Sequence, residues 1–163
     1  MGGLASIIKR LIRSVTPVRT RANAGVYYET LPRGGAITGA AAKTLTAHAT
    51  AAYKFGGRAV VLAATANTAE AWAEGVVISN NDTAKQVYIV ALSTGTGAIT
   101  AGNDVLAEVL AYLNTATGTA RESQYLPLPE PVYIPANVAI SLAAACSSAG
   151  KAIDAHLVIS RNK

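Results

Sequence analysis

From Arg58 onward the chain is a succession of short apolar runs, each closed by Gly, Asn, Asp, Ser or Pro: RAVVLAATAN, EGVVISNN, QVYIVALS, NDVLAEVLAYLN, EPVYIP, NVAISLAAACSS and AIDAHLVISR. Runs of this length, bounded by turn formers, read as strands. In Val138, Ile140, Leu142, Ala144 and Cys146 the apolar residues occupy alternate positions, the period of a strand with one face in a core. Strands at intervals of about ten residues, with no helical period between them, make an antiparallel β-sandwich or jelly roll. Pro127, Pro129, Pro131 and Pro135 cluster in LPLPEPVYIP. Proline lacks the N–H that a central strand must donate, so this segment belongs at a sheet edge or a strand entry.

The hydrophobic fraction of 51% overstates the core, because 34 of those residues are Ala and only nine residues are aromatic. Nowhere do apolar residues run for the roughly 20 positions that cross a bilayer as a helix. Lys9, Arg10 and Arg13 interrupt the apolar N-terminus, which therefore does not read as a secretory signal. The single cysteine, Cys146, has no partner within the chain for a disulfide, and no zinc-ligand spacing occurs.

The net charge of +5 is unevenly distributed. Lys9, Arg10, Arg13, Arg19, Arg21 and Arg33 face only Glu29 within residues 1–35, whereas the rest of the chain carries eight basic and eight acidic groups. A basic arm thus precedes a neutral body. Within the arm, Leu4, Ile7, Ile8, Leu11 and Val15 recur at one-face helical spacing, with the three cations off that face, so a short amphipathic helix is expected over about 3–15. Thr16-Pro17 stops it. Residues 17–35, which include Tyr27 and Tyr28, have no helical period and read as an extended strap ending at Gly34-Gly35. So short a helix is marginal in water and needs a surface to lie on. This gives three parts: the arm at 1–35, a linker or first strand at 36–57 where Ala and Thr propensities conflict, and a body at 58–163. A fragment starting at Ala36 is expected to contain every alternating strand and to fold alone.

Catalytic constellations are sparse. His48 and His156 are far apart, and the two closely spaced His with a nearby Glu of a cupin-like metal site are missing from the sequence. Asp154 and His156 share a strand face and could pair, but a solvated polar face is the simpler expectation. Cys146 continues an apolar face and reads as core. STGTGAITAG lacks the Lys of a phosphate loop and opens no helix. Trp72 with Tyr27, Tyr28, Tyr53 and Tyr88 could form a sugar or peptide surface, although so few aromatics more often plug a core. No enzyme activity, metal, cofactor or small-molecule substrate is expected.

The run VYIVALSTGTGAITAGNDVLAEVL, followed by YLPLPEPVYIPANVAISLAAACSSAGKAIDAHLVIS, resembles the small β-sandwich domains on tailed-bacteriophage capsids. Those domains carry a proline-flanked strand entry of the VYIPA kind, an Ala/Ser-rich strand and a closing strand of alternating apolar residues. The resemblance covers about residues 58–163. It implies a capsid decoration or cement protein, a trimer by analogy, with no catalytic residues. The arm lies outside the resemblance. Its own pattern makes Leu4, Ile7, Ile8, Lys9, Arg10, Leu11, Arg13, Arg19, Arg21, Tyr27 and Tyr28 the expected contacts with a major capsid protein. Such a subunit is made in the host cytoplasm and resides on the virion surface. A head-fibre base or a tail or connector protein would share these features.

Two other classes compete. Gly2 and Ser6 fit an N-myristoylation signal, and Ile7, Ile8, Leu11 and Ile12 could insert at a lipid headgroup layer beside Arg10 and Arg13. A β-sandwich could instead bind glycans on exposed aromatics. Liposome flotation and glycan arrays discriminate these classes. Nucleic acid is disfavoured because the basic residues are not interleaved with stacking aromatics, apart from Tyr27 and Tyr28.

Overall fold

In a computed structural model of the chain, the described residues are 26–32, 42–80, 84–96, 99, 105–114 and 123–162. The nine strands among them are β1 (Val26–Leu31), β2 (Lys43–Thr46), β3 (Ala59–Leu62), β4 (Ala71–Asn80), β5 (Gln86–Thr94), β6 (Val105–Leu113), β7 (Ser123–Ile134), β8 (Ile140–Cys146) and β9 (Ala152–Asn162). The described residues contain no α-helix, and a single 3-10 turn at Ala64–Ala66 follows β3. Every strand pairing is antiparallel.

One sheet has the order β1-β9-β4-β7, with β2 also on β9, and the other has β3-β8-β5-β6. Strands β1 and β2 pair with successive stretches of the same edge of β9, through Leu31 opposite Leu157 and Lys43 opposite Ala155. They therefore share one position. Counting that position as first, the sheets read first-eighth-third-sixth and second-seventh-fourth-fifth. This is the order produced when one long antiparallel ribbon folds over on itself, a jelly roll.

The inner faces supply the core. Val76 and Ile78 of β4, Ile153, Leu157 and Ile159 of β9, and Leu31 and Leu45 of the shared edge meet Tyr88, Val90 and Leu92 of β5, Ile140 and Leu142 of β8, and Leu113 of β6. Each such side chain contributes about 1.5–3 kcal/mol by leaving water, before ordering costs. The Tyr88 hydroxyl donates to the Ala152 carbonyl at 3.1 Å, so this fully buried ring keeps its polar end satisfied.

The alternation expected in β8 puts Ile140, Leu142, Ala144 and Cys146 in the core. The opposite face is covered too: Ser141, Ala143 and Ala145 are buried. Part of the cover is Arg58, whose Nη1 reaches the Thr94 carbonyl of β5 at 2.6 Å and so crosses β8. Within 36–57, Lys43–Thr46 forms β2.

The proline segment lies in β7, at the edge of its sheet. The register jumps from Val132 opposite Ala73 to Pro127 opposite Gly75, so Pro129 and Pro131 fall in a bulge and owe no ladder hydrogen bond. A Cβ at Gly75 would come within 2.6 Å of both the Leu126 carbonyl and the Tyr125 ring.

Strand β1 is where the structure departs from the sequence reading. Val26–Leu31 was expected in the free strap but forms six pairs with β9, and Leu31 is fully buried. A fragment starting at Ala36 therefore lacks one strand of the sheet. The alternation was hard to see because VYYETL has a single aliphatic core residue at its end.

Candidate functional site

Strand β9 carries the most unusual polar chemistry. The expected solvated face at Asp154 and His156 is not solvated: the two residues are 7% and 3% exposed. The reason is position, since β9 lies between the β1/β2 edge and β4 and is flanked on both sides. The two side chains do not form a catalytic pair. Asp154 accepts a hydrogen bond from the Thr44 hydroxyl at 2.8 Å, whereas neither ring nitrogen of His156 has a partner among the described residues. Burial pushes the His156 pKa below its ordinary value, and the Asp154 carboxylate pulls in the opposite direction without overcoming it.

Farther along β9, Arg161 is 3% exposed. Its Nε donates to Glu29 Oε1 of β1 at 2.7 Å, Nη1 to the Ala69 and Glu70 carbonyls, and Nη2 to Asn67 Oδ1 at 3.1 Å. Asn67 passes the network on, donating to the Pro135 and Val138 carbonyls at 2.9 and 3.0 Å. One guanidinium thus ties β1 and β9 to the connection between β3 and β4, and Asn67 extends the network to the connection between β7 and β8. Sequence reasoning missed this network, because an Arg next to the end of an apolar strand reads as surface. The opposed Glu29 was the only visible signal.

Cys146 is in the core, 1% exposed, with its thiol 3.4 Å from Gln86 Oε1. Trp72 is buried and packs on Tyr133 with ring centroids 5.7 Å apart. Tyr28 and Tyr125 are more than half exposed. Burial raises the Tyr125 pKa, with smaller contributions from Glu74 and Tyr28. Among the described residues, no three His, Cys, Asp or Glu side chains gather as a metal site, and no helix is long and apolar enough to cross a membrane.

Of the expected contact residues, Leu4, Ile7, Ile8, Lys9, Arg10, Leu11, Arg13, Arg19 and Arg21 lie outside the described residues, as does the helix over 3–15. Tyr27 and Tyr28 belong to β1, opposite Arg161 and Ser160 of β9.

The most prominent exposed surface is one the sequence did not single out. On β6, the edge strand of its sheet, Leu106, Leu110 and Tyr112 are 42%, 68% and 56% exposed, while Val109, Ala111 and Leu113 on the other face are buried. Val87 and Ile89 of β5 stand opposite Tyr112 and Leu110 and are half-buried. Only Glu108 interrupts the row on β6 with a charge. Both faces of this strand are apolar, and only one is used by the core.

No protein-family model and no curated protein matches the sequence. Among solved structures the chain is similar to the infectious bursal disease virus Gt strain structure, at 14% identity and a TM-score of 0.39, covering 84% of this chain and 32% of that one. It is also similar to the crystal structure of the viral particle of the same virus, at 14% identity and a TM-score of 0.38, covering 84% and 31%. A third, the VP2 subviral particle of that virus, has 13% identity and a TM-score of 0.34, covering 85% and 33%. The chain spans about a third of the length of those chains. The fold class itself rests on the strand order given above.

Proposed function

We propose that this chain is a structural virion protein, a capsid decoration or cement subunit whose basic arm binds the major capsid protein. The observation that carries the reading is β6, where Leu106, Leu110 and Tyr112 stand exposed in a row with one charge among them. A contiguous apolar surface of this kind marks an interaction face. The arm supplies a second, separate contact: the stripe of Leu4, Ile7, Ile8 and Leu11 flanked by Lys9, Arg10 and Arg13, followed by Arg19 and Arg21. A compact sandwich with an adhesive face and an adhesive arm suits a protein that adds buried area between shell subunits, stabilising them by mass action. The resemblance of residues 58–163 to phage capsid domains points the same way. Assembly as a closed homo-oligomer, a trimer on a symmetric shell, belongs to the same proposal.

Quantitative mass spectrometry of purified particles tests it. A copy number in the hundreds supports cement, and about a dozen supports a fibre base, tail or connector component. Absence from the particle ends the virion reading.

A further inference from the structure

We propose that the cleft beside the end of β2 is a binding site for a small organic carboxylate, which His48 and Lys54 hold by its anionic end. The cleft has a volume of about 560 Å³, within the range of small-molecule sites. Its walls include the apolar residues Ala47, Phe55 and Ile99, and among the described residues its ionisable lining is His48 and Lys54. Among the described residues no carboxylate lines it. The composition therefore selects an anion attached to an apolar remainder, and disfavours cations and fully polar ligands.

The frame is held open by backbone hydrogen bonds that do not depend on a ligand. His48 N–H donates to the Lys54 carbonyl at 3.2 Å, which closes the 48–54 loop, and Gly150 N–H donates to the His48 carbonyl at 2.9 Å. Ala47 N–H reaches the Lys151 carbonyl at 2.8 Å, and Tyr53 and Gly56 donate to the Cys146 and Ala144 carbonyls of β8 at 2.7 and 3.0 Å. At Gly56 the chain presses so closely on β2 that a Cβ would lie 1.8 Å from the Thr46 carbonyl. The wall is built from fixed backbone on both sides.

The histidine is oriented as well. His48 Nδ1 accepts the Thr50 backbone N–H at 3.3 Å, and a ring that accepts at Nδ1 donates from Nε2. A donor imidazole and an ammonium in one cleft are what a carboxylate needs, because each hydrogen bond to it is charge-assisted. Phe55 and Ile99 offer apolar surface for the rest of the molecule.

Titration of the full chain with hexanoate, followed through the imidazole ring protons of His48, tests the site. His48 is told apart from His156, the other histidine, by a His156→Gln variant. The expected result is a saturable shift of His48 with hexanoate and binding of hexanamide, equal in size but uncharged, weaker by about tenfold or more. Lys54→Gln should weaken hexanoate by about tenfold and leave hexanamide unchanged, with an unaltered melting curve showing that the fold persists. Equal binding of acid and amide, no saturable shift, or a Lys54→Gln variant that binds hexanoate like the parent overturns the proposal. None of these outcomes depends on the virion reading, which is decided by copy number in particles.

Discussion

His156 and Arg161 lie five residues apart on one strand and both are buried, yet their polar atoms are partnered very differently. Arg161 is surrounded by acceptors, while neither ring nitrogen of His156 has a partner among the described residues and burial lowers its pKa. Removing Arg161 would take away the ion pair at Glu29 and the hydrogen bond to Asn67 Oδ1. Arg161→Ala should therefore cost about 3–5 kcal/mol in a denaturant titration, as broken buried ion pairs do. A loss under about 1 kcal/mol would show that the network is incidental. For His156 the sign follows from its depressed pKa. The unfolded chain takes up a proton near the ordinary value of 6.5 and the folded one resists it. Stability is thus complete above that value and falls as the pH drops below it toward the folded pKa. Melting temperature should decline between about pH 7 and about pH 5, and His156→Gln should flatten that decline. If the decline persists in His156→Gln, another group titrates.

At the scale of elements, β1 decides where the body begins. Deleting residues 1–25 leaves all nine described strands, so the melt should stay cooperative and close to that of the full chain. Deleting residues 1–35 removes β1, and with it the fully buried Leu31 and the Glu29 partner of Arg161. The second fragment should lose about 3 kcal/mol or more relative to the first, measured by urea unfolding. Equal stability of the two would mean that β1 is an ornament on β9. Legibility in the sequence tracks how each strand is buried. Strands β4, β5, β8 and β9 sit inside their sheets and carry long apolar runs, so they were readable from EGVVISNN, QVYIVALS, NVAISLAAACSS and AIDAHLVISR. The edge strands β1 and β2 pack one or two aliphatic side chains each, and their local pattern drowns in Tyr, Thr and Ala. The polar face of β9 was misread as solvated because nothing local to IDAHLVIS reveals that its neighbours cover it. The cleft at His48 was illegible for a related reason, since Thr46, Lys54 and Ile99 meet only through the folding of separate segments.

For the whole molecule, two adhesive features are available, and they differ in chemistry. The row on β6 is nearly uncharged, so a contact made by it should be insensitive to salt. Leu110 is 68% exposed, so Leu110→Asp should change folding stability by only about 0.5 kcal/mol while weakening attachment to particles by about tenfold or more at any ionic strength. The arm mixes both forces. Burial of Leu4, Ile7, Ile8 and Leu11 on a partner would give about 1.5–3 kcal/mol each before ordering costs, whereas Lys9, Arg10 and Arg13 would add less and be screened. In co-sedimentation with particles, Ile8→Asp should then release the protein at low and high salt alike. Replacing Arg10 and Arg13 together by Ser should weaken binding modestly at low salt, with the difference fading as salt rises. The reverse ranking, with Ile8→Asp tolerated and the double Ser variant detached, means that the arm reads an acidic surface or a nucleic acid. A body that detaches only when β6 is altered, whatever is done to the arm, makes the sandwich face the sole grip and removes the arm from the model of attachment.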